Sequence, residues 1–188
     1  LQLPARDLPV DPYLLGCWLG DGVSGQGQIT SADPEILAAF DAQYTRGKVD
    51  KPSGKARTVS YLGLSTDLRK AGVLTNKHIP AEYLRASYVQ RLALLQGLLD
   101  TDGSIDPKQG SVEFSTSFPE LAEGFQELLG TLGIQARLRR GEVYLNGERR
   151  KDRYRFVFTT DLPVFRLPRK AQYLPERTRI SNKYRFVT

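Results

Sequence analysis

The chain has 188 residues, 27 Lys plus Arg against 21 Asp plus Glu, a formal net charge of +6 and a single cysteine. That length fits one or two domains with a substantial core, and a pI near 9.5 points to a polyanionic partner. Lone Cys17 excludes a disulfide framework or cysteine zinc site, in keeping with a reducing cytoplasm, and no stretch is long and apolar enough to span a bilayer.

The opening Leu1-Gln2-Leu3-Pro4-Ala5-Arg6 has neither signal-peptide character nor an initiator Met, so we expect a segment of a longer protein. Asp11 is placed to cap a helix that begins at Pro12, where a missing N–H costs nothing. This helix carries Leu14-Leu15-Gly16-Cys17-Trp18-Leu19-Gly20-Asp21-Gly22, with Gly22 as its stop, as Gly103 is for the second-half helix, through the left-handed conformation glycine readily takes. A strand from Gln26 to Ser31 follows, Ile29 inward and Gln26, Gln28 and Thr30 outward. Pro34-Glu35 opens a second helix, and Arg57, Val59 and Tyr61 are expected on the outward face of a later strand. Farther on stands Lys77-His78-Ile79-Pro80, in which His78 has no paired nucleophile or metal-ligand spacing and reads as structural.

The second half begins with Ser87 and Gln90 at capping-box spacing. The helix that follows runs through Leu95-Gln96-Gly97-Leu98-Leu99-Asp100-Thr101-Asp102-Gly103 and is apolar over most of its circumference, as a helix buried between layers is. In the next strand Val112 and Phe114 point inward, leaving Ser111, Glu113 and Ser115 outward. Gln135, Arg137 and Arg139 form the polar side of one later strand, and Arg153, Arg155 and Val157 that of its companion, with Asn146-Gly147 at the turn region between. Glutamine and arginine read adenine and guanine edges bidentately, and a ribbon of strands fits the major groove. Each of these faces taken singly also fits a merely solvated sheet. Lys170 closes the sequence of candidate groups, and the stretch from Pro175 reads as a linker.

The two halves repeat one another. The Leu14 and Leu95 stretches are 81 residues apart, Thr30-Ser31-Ala32-Asp33-Pro34-Glu35 and Ser115-Thr116-Ser117-Phe118-Pro119-Glu120 are 85 apart, Leu62–Leu68 and Phe156–Leu162 are 94 apart, and Lys77 and Lys170 are 93 apart. Each half reads as helix, two strands, helix, two strands, helix. Gly16 with Gly20, and Gly97 with Thr101, place small residues four apart on one helical face, so the two motif helices can approach closely. Asp21 and Asp102 then emerge side by side, and their mutual repulsion, worsened by the negative helix ends, favours a divalent cation such as Mg²⁺.

The paired nonapeptides resemble the motifs of LAGLIDADG homing endonucleases, and the likeness extends along most of the chain. It implies an α+β fold, a pseudo-two-fold duplicated αββαββα unit whose two antiparallel sheets form a DNA-binding saddle, with halves at 1–85 and 86–188. It further implies that Asp21 and Asp102 bind metal, with Gly20 and Thr101 beside them, and position the hydrolytic water. Asp100 is replaced by Leu19 in the first copy, an asymmetry that makes it a structural hydrogen-bond acceptor. Lys77-His78-Ile79-Pro80 looks like the Lys-x-Ile-Pro block of intein endonucleases, whose lysine assists catalysis, and Lys170 holds the related place. The expected chemistry is hydrolysis of one phosphodiester per strand across the minor groove, using Mg²⁺ with Mn²⁺ or Ca²⁺ as substitutes for binding, and leaving short 3′ overhangs.

The likeness is nearest to inteins hosted by bacterial replicative helicases, and since splicing needs an N-terminal Cys or Ser and a C-terminal Asn, the stretch from Leu1 to Thr188 is expected not to splice by itself. We therefore expect a cytoplasmic monomer acting on double-stranded DNA. Two other readings stand beside it: a relative that binds DNA or folded RNA without cutting, as a maturase does, and a structural intein insert.

Overall fold

The computed structural model describes residues 2–49, 54–141, 144–145, 148–149 and 152–175. The expected Asn146-Gly147 turn and the tail beyond Pro175 lie outside them. The first helix, α1 (Pro12–Asp21), starts as its sequence requires: Asp11 accepts hydrogen bonds from the Tyr13 and Leu14 amides at 2.9 and 3.2 Å. Then follow β1 (Gln28–Ser31), α2 (Pro34–Asp41), β2 (Arg46–Val49), β3 (Arg57–Tyr61), α3 (Leu64–Lys70) and α4 (Ala81–Leu84). The second half opens with α5 (Tyr88–Asp102), whose Ser87/Gln90 capping box is formed in both directions. It continues with β4 (Gly103–Ile105), β5 (Val112–Thr116), α6 (Pro119–Thr131), β6 (Arg137–Gly141), β7 (Tyr144–Leu145), β8 (Glu148–Arg149), β9 (Arg153–Phe158) and α7 (Pro168–Ala171).

Helices α1 and α5 pack against one another along their length and form the centre of the molecule, each buried on most sides. The glycines decide how close they come. A methyl group on Gly16 would fall less than 3.0 Å from the Leu98 nitrogen and the Leu94 carbonyl, and one on Gly97 would meet the Cys17 nitrogen and the Tyr13 carbonyl. Gly20 is filled by the side chain of Thr101, whose hydroxyl donates back to the Gly97 and Leu98 carbonyls. Backbone therefore lies on backbone.

An antiparallel sheet flanks each central helix. The first has the order β1-β3-β2 and packs with α2 on α1, where Phe40 stacks on Tyr61 with ring centroids 5.1 Å apart. The second has the order β4-β5-β9-β6 and packs with α6 on α5, where Phe114 stacks on Phe125 at 4.0 Å and both meet Phe156. Helices α2 and α6 begin alike: the buried hydroxyl of Ser31 accepts from the Asp33 amide, and Thr116 accepts from the Phe118 amide.

Three expectations are corrected by this architecture. The first half lacks its first strand, because Gly22 and Ile29, seven residues apart, leave room for only an isolated bridge, while Gly103 and Phe114, eleven apart, open a hairpin wide enough for β4. Gly22 and Gly103 do not end their helices by left-handed geometry, since both are extended. They are glycines for room, as a Cβ on Gly22 would strike Trp18 and one on Gly103 would strike Leu99.

The third correction concerns β3. Ile29 pairs with Val59 and Phe114 pairs with Phe156, so Val59 corresponds to Phe156 at an offset of 97, not 94. A shift of an odd number of residues turns a strand over. Val59 and Tyr61 are core residues, and Tyr61 donates its hydroxyl to the Leu37 carbonyl and the Asp41 carboxylate, both at 3.3 Å. The outward positions of β3 are Thr58 and Ser60, and Leu62–Leu68 leads into α3 where its supposed counterpart ends β9.

Replacing Gly16 by Ala is expected to lower unfolding free energy by about 3 kcal/mol, at the severe end of overpacking, because the obstructing atoms are backbone. Replacing Gly130, which sits in α6 with nothing within 4 Å of a Cβ, should raise it by about 0.5 kcal/mol through helix propensity. Urea titrations of the two variants check both signs, and a tolerated Gly16→Ala would show that the helices can separate at little cost.

Candidate active site

The close helix contact brings the ends of α1 and α5 together, and with them Asp21 and Asp102. The position for a Cβ on Gly20 lies 3.4 Å from Oδ2 of Asp102, so one carboxylate rests against the other helix. Burial and then the charge of Asp102 push the Asp21 carboxyl up to about 6, opposed by Lys77 and Lys170. Burial likewise raises Asp102, again opposed by the two lysines.

Both lysines are buried. Lys77 Nζ donates to the carbonyls of Gly20 and Gly22 at 3.0 and 2.8 Å. Lys170 Nζ donates to those of Leu99, Asp100 and Gly103 at 2.8, 2.7 and 2.6 Å, and reaches that of Thr101 at 3.4 Å. Each ammonium thus closes the carbonyl end of a motif helix, where cations are favoured. Gly20 corresponds to Thr101 and Gly22 to Gly103, so the lysines are structural counterparts despite their different sequence offsets. Their ammonium groups lie over aromatic rings in the same way, Lys77 Nζ 5.2 Å from the Trp18 ring centroid and Lys170 Nζ 5.7 Å from that of Phe165. Burial lowers Lys77, opposed by Asp102 and Asp21, and lowers Lys170 to about 8, assisted by Arg169.

Asp100 is fully buried and accepts from the Tyr13 hydroxyl at 2.9 Å and from the Arg166 and Leu167 amides at 3.1–3.3 Å. It is the structural acceptor expected, though its partners come from another helix and a distant loop. The half-buried His78 places Nδ1 2.9 Å from the Asn76 carbonyl oxygen and stands apart from the acids.

Among the described residues no group of three or more His, Cys, Asp or Glu side chains gathers at one point. The donor set fits a hard cation nonetheless. Two carboxylates and the adjacent Gly20 and Thr101 carbonyls, each with a second lone pair beyond the one facing a lysine, are oxygen ligands of the kind Mg²⁺ prefers, and Mg²⁺ completes its shell with water or phosphate oxygens. A cation there would relieve the repulsion that raises Asp21.

Beside this centre lie the outward faces of the sheets. In the first, Gln28 and Thr30 are outward as expected, Thr30 sharing a hydrogen bond of 2.8 Å with Thr58, while Gln26 is exposed ahead of the strand. Arg57 is exposed at the start of β3, but Tyr61 faces the core and is withdrawn from the interface. In the second sheet Ser111, Gln135, Arg137, Arg139, Arg155 and Val157 line a groove of about 450 Å³. Arg155 pairs with Glu113, and Arg153 donates to Ser115 at 2.8 Å. Sequence reading missed Thr58 and Ser60 as outward groups, and it missed Arg169, which pairs with Asp33 of the other half. The alternation of β3 held the first signal once its register was known; no local pattern held the second.

Two helix-borne carboxylates facing one another between two basic or polar sheets define a pseudo-two-fold oxygen-ligand site on an α+β scaffold. A family model described as a LAGLIDADG-like domain matches residues 89–185, and the chain belongs to that LAGLIDADG family. It is also 42% identical over 178 residues to a replicative DNA helicase DnaB of Mycobacterium intracellulare, a match covering 94% of this chain and 28% of that protein. The chain therefore spans little more than a quarter of that relative's length.

Among solved structures the fold is similar to that of the homing endonuclease I-DmoI. A structure from a study of its mesophilic variants superposes with a TM-score of 0.52 at 15% identity, covering 80% of this chain and 89% of that one. Its complex with DNA and Mn gives 0.53 at 16% identity with the same coverage. No helix among the described residues is long and apolar enough to cross a membrane.

The raised Asp21 value has a consequence of definite sign. Its folded pKa lies above the unfolded value near 4, so the native state binds more protons between about pH 4 and 6, and its contribution to stability is lost as pH rises through that window. In metal-free buffer Asp21→Asn is expected to be more stable than the parent at pH 7 by about 2 kcal/mol, with the difference vanishing near pH 4. Urea midpoints across that range decide it, and a variant weaker than the parent at pH 7 would contradict the buried repulsion.

Proposed function

We propose that the chain is a site-specific endonuclease that hydrolyses one phosphodiester in each strand of double-stranded DNA and leaves short 3′ overhangs. The observation that carries this reading is the meeting of Asp21 and Asp102 at the joined ends of α1 and α5, flanked by a buried lysine on either side. A module that only binds DNA has no use for two repelling carboxylates at that point. Family membership and the I-DmoI fold, seen there in complex with DNA and Mn, support the reading. Identity to part of a replicative helicase supports an intein insertion in such a gene as the origin of the chain. Both acids lie in one polypeptide, which supports action as a monomer.

In this mechanism Asp21 and Asp102 hold the divalent cation together with the carbonyls beside them. A bound Mg²⁺ supplies charge neutralisation at the phosphodiester and lowers the pKa of water. Mn²⁺ or Ca²⁺ takes the same oxygen ligands for binding. The buried lysines keep positive charge beside the two carboxylates, where it stabilises negative charge developing on a phosphate oxygen. The outward faces hold the duplex. Gln26, Gln28, Thr30 and Arg57 serve the first half-site, and Ser111, Glu113, Ser115, Gln135, Arg137, Arg139, Arg153 and Arg155 the second, with phosphate contacts giving affinity and base contacts giving specificity.

The test is incubation of the chain with Mg²⁺ and a duplex spanning the uninterrupted insertion point of the helicase gene. Cutting of both strands that disappears with EDTA and in the Asp21→Asn, Asp102→Asn double variant is expected. Salt-sensitive binding without cutting would replace the proposal by that of a decayed binding protein, and preference for folded RNA would favour a maturase. Arg137→Ala and Arg139→Ala should each weaken binding and reduce the slope of log affinity against log salt by about one, read from fluorescence anisotropy at several salt concentrations.

A further inference from the structure

Lys77 and Lys170 make equivalent hydrogen bonds, but the segments that carry them are held by different means. Lys170 sits in α7, a four-residue helix too short to fix its own position. Burial of Val164, Phe165 and Leu167 in the core and a set of tertiary bonds do so instead. Ahead of it, the Arg166 and Leu167 amides bind the Asp100 carboxylate, the Arg166 guanidinium donates to Gln96 and lies 4.0 Å over the Tyr13 ring, and Gln96 donates to the Pro163 carbonyl. Next to it, Arg169 reaches into the first half and makes a two-pronged pair with Asp33, Nε to Oδ1 at 2.9 Å and Nη2 to Oδ2 at 2.6 Å. Asp33 is the N-cap residue of α2, yet its side chain makes no capping bond and both oxygens face Arg169.

The first half has no copy of these ties. By the repeat, Leu19 stands at the place of Asp100, Leu94 at that of Tyr13, Asn76 at that of Arg169 and Phe118 at that of Asp33. The Lys77 segment is set by packing of Val73, Leu74 and Ile79 and by the bond from the Gly25 amide to the Leu74 carbonyl at 2.6 Å. Both lysine segments are thus anchored by apolar packing, and that of Lys170 is tied in addition by a charged clasp spanning both halves.

We propose that Arg169 and Asp33 are positioning residues for Lys170, and that their ion pair governs scission of one DNA strand while leaving the other to the Lys77 side. The inference rests on the endonuclease reading. A bidentate arginine–carboxylate pair fixes orientation as well as distance, and small misplacements of a catalytic group cost rate steeply. Arg169 and Asp33 both act on Lys170 and neither is among the groups that act on Lys77, so loss of the pair falls chiefly on one side of the pseudo-dyad, the charge of Asp33 being the smallest of the influences on Asp21.

The test follows each strand separately on the helicase insertion-site duplex, labelled at either 5′ end, with the parent, Arg169→Gln, Asp33→Asn and the exchanged pair Asp33→Arg with Arg169→Asp. Arg85→Gln, which breaks an exposed ion pair to Glu127 between α4 and α6, is the control for loss of a surface pair. The single variants are expected to accumulate nicked duplex, one strand slowed about tenfold and the other nearly unchanged, with a melting temperature close to that of the Arg85→Gln control and recovery in the exchanged pair. Equal slowing of both strands, or unchanged rates on both, would overturn the inference while the endonuclease reading stands. A parent that binds but does not cut would remove the reading on which it rests.

Discussion

The approach of α1 to α5 is the constraint on which the rest depends. At ordinary interhelical distances of 8 to 10 Å side chains would separate the two axes, and the carboxylates at their ends would lie on opposite sides of that layer. Gly16 and Gly97 remove the layer on both helices at the same level, and Gly20 admits Thr101 one turn farther on. Each helix also carries its own sheet, so the same contact sets the distance between the two outward faces. Site and interface share one geometric origin, and a change at the glycine seam alters both together.

Such a site is costly in isolation. Two helix carbonyl ends and two carboxylates concentrate negative charge where Asp21 is half-buried, and Asp21 shows the strain in its raised value of about 6. Lys77 and Lys170 offset this by donating to the terminal carbonyls. Their position satisfies backbone groups that would otherwise end in the interior unpartnered, and it puts two positive charges next to the acids. Folding and chemistry thus ask the same residue type for the same place. Removing a lysine is therefore a structural change as well as a chemical one.

Much of this could be read from the chain because it depends on local rules. Asp11 and Ser87 cap as their spacing requires, the apolar girth of α5 marks a central helix, and the repeated Asp-Gly endings mark the two acids. What escaped reading depends on distance in space. The register of β3 is set by its pairing with β1, and hairpins of unequal length hide the offset of 97 behind one of 94, which places Tyr61 on the wrong face when only the sequence is read. The same unequal connections made Lys77 and Lys170 look out of register, although they meet corresponding carbonyls. Arg169 and Asp33 are 136 residues apart and have Asn76 and Phe118 as their counterparts in the repeat, so no periodicity could join them.

Duplication explains the symmetry of the acids and the lysines, and divergence explains what surrounds them. The groups closest to the centre are constrained from both halves at once: each glycine touches the other helix, and each carboxylate feels the other's charge, so neither copy can change alone. One step outward that mutual constraint ends. There the second half has Asp100, Arg166 and Arg169 where the first has Leu19, Val73 and Asn76, and an arginine-rich sheet where the first presents Gln28, Thr30, Thr58 and Ser60. On the endonuclease reading proposed above that division has a use: the centre treats two chemically identical phosphodiesters alike, while the faces tell two base sequences apart.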